Sequence, residues 1–516
     1  MKKSQIKLGA VLSYLQMGAN IIIQLVFTPV MLKILGDNEF GLYQTVAATI
    51  SMLSILNLGF NSGYVRYYAI YKKRGDKEAI QKLNGLFLII FVIIGLVGLL
   101  CGLFLSFHLD LVFKEGLTAD EYAIARVLMI LLSFNLAFTF AMTVFNNIIT
   151  AHERFIFLKL IAMLKTVCSP LITLPLLLVG FRSIAMVTVT VIVSFIADGL
   201  YMVYVLFVMK EKFVFHDFEK GFFKTLFVYT AFIALNTIID QINWNIDKLL
   251  LGRFKGTAEV AVYSIGYTLY HCYQLFSTSV SGVFSPRIHS IVTTLHDDEK
   301  KERAALTDLF IRVGRIQFLI LGLIATGIIF FGKYFIVSIW TKKETMTNAY
   351  YVALCLIIPA TIALVQNLGI EIQRAQNRHQ FRSIVYLGMA VINLALSIVL
   401  CQRYGAVGSA IGTAFSLVFA NGLIMNLYYN KRCNIDIPAF WKSILRLSVG
   451  LIIPVLAGVL MMKNVTITSF WMFAGLVATY TLLYSVSMWL FAMNSYEKEL
   501  VTGVLKKFNK WGRHHA

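Results

Sequence analysis

Asn236, Asp240, Asn243 and Asp247 are spaced four, three and four residues apart within an apolar stretch, which stacks them on one helical face. Ser13, Gln16, Asn20, Gln24 and Thr28 repeat that kind of spacing near the N-terminus. Side chains of these types either line a hydrated path for polar cargo or hydrogen-bond one helix to another. Carboxylates in hydrocarbon cost several kcal/mol unless paired or hydrated, so Asp240 and Asp247 are expected on the hydrated path with Gln16, Asn20, Gln24, Asn236 and Asn243. A second chemistry comes from Arg66, Lys165, Lys248 and Arg374, which lie within or at the ends of apolar stretches. Long basic side chains near such ends commonly reach out to water, and that reading fits Lys159, Arg287 and Arg315. Lys165 and Lys248 are harder to place that way. If several of these cations converge, they make a site for an anion such as phosphate or pyrophosphate. Alternatively, Glu371 neutralises Arg374 or Arg378 within one or two helical turns.

The elements that must hold these residues are membrane helices. Hydrophobic residues make up 58% of the chain and charged residues 14%, where a soluble domain carries roughly 25% charged. About fourteen apolar segments, each long enough to span hydrocarbon as a helix, are expected at 8–32, 42–68, 84–107, 123–149, 156–179, 184–208, 225–251, 259–286, 311–339, 349–373, 383–401, 405–429, 443–462 and 467–492. The net charge of +20 resides in short connections rather than in one basic domain, which argues against nucleic acid as a partner. One set of connections, including Lys72-Lys73-Arg74, Lys210 to Lys224, Arg374 to Arg382 and the tail Lys506 to Arg513, holds about thirty basic residues and the alternate set about eleven. That bias predicts a cytoplasmic first set with both termini on the same side. The first segment follows Met1-Lys2-Lys3 without a small-residue cleavage site and reads as a retained helix. The six cysteines form no CxxC pair, and no HExxH, metal-ligand spacing or GxxxxGK[ST] loop occurs, so no cofactor, metal or catalytic group is expected.

An internal repeat organises the spans. Leu35-Gly36 through Phe40-Gly41-Leu42-Tyr43, leading to Ser62-Gly63 and Arg66, has a counterpart about 220 residues later in Leu251-Gly252-Arg253, Val262-Tyr263, Ser281-Gly282 and Arg287. Ala151 to Phe155 with Gly180-Phe181-Arg182-Ser183 matches Ala375 to His379 with Gly405-Ala406-Val407-Gly408 at a similar offset. The expected domains are therefore an N-terminal lobe at 1–209, an equivalent parallel lobe at 210–430, two further spans within 431–492 and a cytoplasmic amphipathic tail at 493–516. Such halves place a substrate path between them.

Leu35-Gly36 through Phe40-Gly41-Leu42-Tyr43, Leu58-Gly59-Phe60 with Arg66-Tyr67, Asp247 to Arg253 with Tyr263-Ser264-Ile265, and Gly405 to Thr413 occur in an order that resembles the polysaccharide-biosynthesis flippases of the MOP (multidrug/oligosaccharidyl-lipid/polysaccharide) superfamily. The resemblance implies an all-α integral membrane protein that is a transporter, not an enzyme. It would move undecaprenyl-pyrophosphate-linked oligosaccharide across a bacterial inner membrane by alternating access, for O-antigen or capsule-type surface polysaccharide. Arg66, Lys165, Lys248 and Arg374 would then be its cationic cavity, and its partners would be the lipid-linked substrate, the bilayer, a polysaccharide polymerase and chain-length machinery. A cation-coupled multidrug exporter of the same superfamily is the alternative, with Asp240 or Asp247 as its ion site. A lipid II flippase is a second alternative; that branch carries basic residues in its first helix, where this chain has Ser, Asn, Gln and Thr. Coupling to Na⁺ or H⁺ is not written in the sequence.

Overall fold

Apolar runs this long leave the backbone no partner except itself, and the regular structure among the described residues is all helical, with no strand. The computed structural model describes residues 2–114, 117–217, 221–295 and 297–512. Part of the basic connection at 210–224, and Arg513 of the tail, lie outside them.

Two compact units divide the chain, one of 1–268 with 386–413, the other of 269–385 with 414–516. The first contains α1 (Lys2–Met52), α2 (Phe60–Arg74), α3 (Lys77–Phe107), α4 (Ala119–Ala151), α5 (Phe155–Leu178), α6 (Ser183–Val203), α7 (Phe222–Phe254) and the start of α8 (Thr257–Val283). Here α4 packs against α3 and α6, and α1 against α5 and α7. The rings of Tyr64, Tyr68, Phe87, Phe91, Phe140 and Phe145 fill the space among α2, α3 and α4. The second unit contains α9 (Ser285–Thr294), α10 (Glu299–Tyr334), α11 (Thr347–Val365) and α12 (Leu368–Ala375). α13 (His379–Leu417) contributes its 386–413 segment to the first unit; α14 (Asn426–Arg432), α15 (Ile437–Ser448), α16 (Ile452–Asn464), α17 (Phe470–Ser487) and α18 (Ser495–Gly512) complete the second, where α10 packs against α11, α15 and α17.

Among the described residues, ten helices are long and apolar enough to cross a membrane, or eleven if a bent pair within α7 is one span, against the fourteen expected. Two of the ten run over 64 and 53 residues. At 1.5 Å per residue these would measure about 96 and 80 Å, far beyond the roughly 30 Å of hydrocarbon. Both are interrupted: Gly36 (φ 80°) and Gly405 (φ 58°) leave helical geometry inside α1 and α13. The expected span at 42–68 is also broken, by a 3₁₀ turn at Leu53–Asn57 and left-handed residues Leu58 and Gly59.

The breaks carry the repeat into three dimensions. Gly36 and Gly256 lie 220 residues apart and both have positive φ, a conformation that glycine alone adopts without cost. Three residues after each stands a glutamate that caps another helix. Glu39 accepts from the Ser183 backbone N–H (3.0 Å) and hydroxyl (2.6 Å) at the start of α6, while Glu259 accepts from the Ala406 N–H (2.7 Å) just past the break in α13. A carboxylate at a helix N-terminus satisfies orphan donors and complements the dipole. Arg182 adds an ion pair to Glu39 at 3.1 Å.

Between the two repeat copies, within the first unit, α1 meets α7 and α8 along a close seam. A Cβ on Gly41 would collide with the Thr257 carbonyl, and one on Gly252 would stand 3.5 Å from the Thr45 Cβ.

Candidate functional site

The stripe on α7 changes character along its length. Asp240 is exposed, and Asn236 and Asn243 are half-buried on the same face. Asp247 was expected beside them on a hydrated path, and the structure corrects this. Its side chain is 1% exposed and takes hydroxyl hydrogen bonds from Tyr263 (2.7 Å), Ser409 (2.6 Å) and Thr413 (2.7 Å). Three donors replace the water that a buried carboxylate would otherwise need, so Asp247 ties α7 to α8 and α13 instead of facing cargo. In α1, Gln16, Asn20 and Gln24 are half-buried, and the Gln24 amide donates to the Asn20 carbonyl at 3.1 Å. On α7 Asn245 does the same with Gln241 at 2.7 Å.

The four expected cations fall into two kinds. Arg374 is exposed and bonded to Glu371 at 2.7 Å, one turn back on α12, with Ser285 holding the other carboxylate oxygen. Glu371 therefore compensates it, as the alternative reading of the sequence held. Lys165 lies 3.8 Å from Asp198, a buried carboxylate on α6 that also accepts from Thr139 at 3.0 Å. Arg66 and Lys248, by contrast, have no acidic partner among the described residues. Arg66 lies over the Tyr229 ring at 4.0 Å. Lys248 is half-buried, donates to the neutral Gln44 carbonyl at 3.0 Å and approaches the Tyr267 ring at 5.2 Å. Rings and amides orient a cation without cancelling its charge. Tyr229 and Lys248 are nineteen residues apart on α7, about 28 Å along a straight helix. The two uncompensated charges thus mark opposite ends of one helix and do not form a single site.

Arg315 was expected to reach out to water, and it does not. Only 5% exposed, it pairs with Glu497 of α18 through both carboxylate oxygens (2.5 and 2.9 Å) and donates to Ser443 and to the Ala492 carbonyl. Its apolar neighbours in sequence gave no sign of a partner 182 residues away. Glu39 and Glu259 were legible in principle, since they share the 220-residue offset, but the glycines and tyrosines of the motif are its visible part.

Comparison with known proteins agrees with this architecture. The family model described as polysaccharide biosynthesis protein matches residues 7–292. A putative O-antigen transporter of Shigella flexneri is 18% identical over 408 residues, covering 78% of this chain and 92% of that one. Among solved structures, the lipid II flippase MurJ in an inward closed conformation superposes with a TM-score of 0.69 at 16% identity, over 93% of this chain and 97% of that one. An inward-facing multidrug resistance MATE family transporter of the MOP superfamily gives 0.61 at 15% identity over 83% and 96%. The structural likenesses establish the fold alone. With more than half of its length matched by the family model, the chain belongs to the polysaccharide biosynthesis protein family, as a multi-pass membrane transporter.

Proposed function

We propose that the protein is a flippase for undecaprenyl-pyrophosphate-linked oligosaccharide in the bacterial inner membrane, serving surface polysaccharide biosynthesis by alternating access between two lobes at 1–209 and 210–430. The observation that carries this reading is the pair of uncompensated cations, Arg66 over Tyr229 and Lys248, the two α7 positions being nineteen residues apart. An anionic head group crossing the membrane needs successive positive partners, whereas a single deep site would hold it in place. Lys165 and Arg374, each beside a carboxylate, present little net charge to an anion and stand outside that path. Asp240, Asn236, Asn243, Gln16, Asn20 and Gln24 would line the hydrated route for the sugars. The polyprenyl tail stays in lipid, since exposing it to water would cost about 0.8 kcal/mol per CH₂.

The family and the Shigella relative, whose description concerns O-antigen, support the lipid-linked class of cargo. The absence of Lys and Arg from the apolar part of span 1 up to Val30 weighs against lipid II, given the basic residues of that branch. Replacing Arg66 or Lys248 by Gln tests the reading, with surface polysaccharide and membrane protein measured together. Export should fall at least tenfold at unchanged protein level, because a charge-assisted contact contributes on the order of 1.5–3 kcal/mol. Export that falls only in step with protein abundance would remove these residues from the cargo path.

A further inference from the structure

Within the first unit, α2, α4 and α6 form a half-open pocket of about 230 Å³ lined by Asn61, Thr139, Thr143, Asn146, Asn147 and Asp198, with Met142 and Tyr201. Polar groups of this density inside membrane helices have two ordinary explanations, helix-to-helix hydrogen bonds or a ligand. The first accounts for part of them. The Asn147 amide donates to the Asn61 carbonyl at 3.0 Å, Thr143 donates back along α4, and Thr139 donates to Asp198. Each Asn side chain offers two donor hydrogens and an acceptor oxygen, however. Among the described residues the amide nitrogens of Asn61 and Asn146 and the carbonyl oxygen of Asn147 have no partner, and these residues face the cavity. The site therefore offers donors and acceptors side by side.

Its charge and size narrow the ligand. Lys165 stands 3.8 Å from the one carboxylate, Asp198, so the pocket is formally neutral and favours neither a pyrophosphate nor an unpaired cation. A space of about 230 Å³ is far more than a dehydrated ion fills. A ring carrying several hydroxyls, each both donor and acceptor, matches the amide and carboxylate pattern. Resting on the flippase reading, we propose that this cavity is a subsite for one neutral sugar ring of the transported glycolipid, read by Asp198, Asn61, Asn146 and Asn147. Lys165 then acts on Asp198, fixing its carboxylate toward the ring, and not on the cargo's phosphates. Sites that hydrogen-bond hydroxyls reject analogues lacking them far more strongly than apolar sites reject a missing methylene. The pocket is thus where the identity of a sugar would be tested.

The experiment uses the purified full-length protein carrying Thr143→Cys, with the maleimide labelling rate at that position read by mass spectrometry and the native cysteines as internal reference. Free glucose, galactose, N-acetylglucosamine and rhamnose are the probes; linear sorbitol, sodium chloride and inorganic pyrophosphate are the controls. At least one ring sugar should slow labelling threefold or more while the controls leave it unchanged. Asp198→Asn and, separately, Asn146→Ala should remove that protection. Protection by sodium without protection by any sugar would overturn the proposal in favour of an ion site, and no protection by any ring sugar would overturn it outright. Deleting the gene separates this from the broader reading. Unchanged surface polysaccharide on deletion sinks the flippase assignment, whereas lost polysaccharide together with an unprotected Thr143→Cys sinks only the sugar subsite.

Discussion

Buried charge in this protein is handled in three ways, and each way implies a different mutational outcome. Asp247 is held by hydroxyls, Arg315 by a carboxylate, and Lys248 by a neutral amide and a ring. Removing a partner from the second kind strands a charge. Glu497→Gln should therefore cost on the order of 3–5 kcal/mol, visible as a lower thermal midpoint and faster proteolysis of α18, because Arg315 keeps its charge in a buried site. An unchanged midpoint would mean that water reaches Arg315 once its partner is neutral. Lys248→Gln belongs to the third kind and has no carboxylate to strand. Its expected signature is lost export in a protein of normal stability, and the two variants together distinguish structural from transport cations.

At the scale of elements, the repeated device is a positive-φ glycine followed three residues later by a helix-capping glutamate. Glu39→Gln and Glu259→Gln should each lower thermal stability by about 1–2 kcal/mol, since the amide still accepts a hydrogen bond but no longer carries charge to the helix terminus. A fall for one and not the other would show that the two copies are unequal in load. The seam between the copies gives a sharper prediction. The 3.5 Å from a Cβ at Gly252 to that of Thr45 suits a disulfide, so Thr45→Cys with Gly252→Cys in a background lacking the native cysteines should crosslink, stop export, and recover on reduction. Crosslinked protein that still exports would exclude opening along this seam. The helices were legible because long apolar runs are a pattern in one dimension. What was not legible depended on pairing across the sequence. The hydroxyl cage of Asp247 requires Ser409 and Thr413 from α13, and the Arg315 pair requires α18. The stripe on α7 told which face is polar without telling where along that face the protein closes over it. The fourteen expected spans rested on runs of apolar residues, and Gly36 and Gly405 show how a break without polar punctuation hides inside such a run.

For the whole molecule, orientation and directionality both follow from charge. The basic excess predicts that a membrane-impermeant thiol reagent applied to intact cells reaches a cysteine placed at 463 but not one at 73. The reverse pattern would invert the topology and with it the entry side of the cargo. Transport itself is tested most directly by reconstituting the purified protein into phospholipid vesicles that contain a polyprenyl-pyrophosphate-linked oligosaccharide, and measuring how fast inner-leaflet sugar becomes accessible to an impermeant glycosidase outside. The account predicts acceleration over protein-free vesicles, lost in Lys248→Gln and lost reversibly when positions 45 and 252 are crosslinked; sugar exposure no faster than in protein-free vesicles, or equally fast with the crosslink in place, would contradict it.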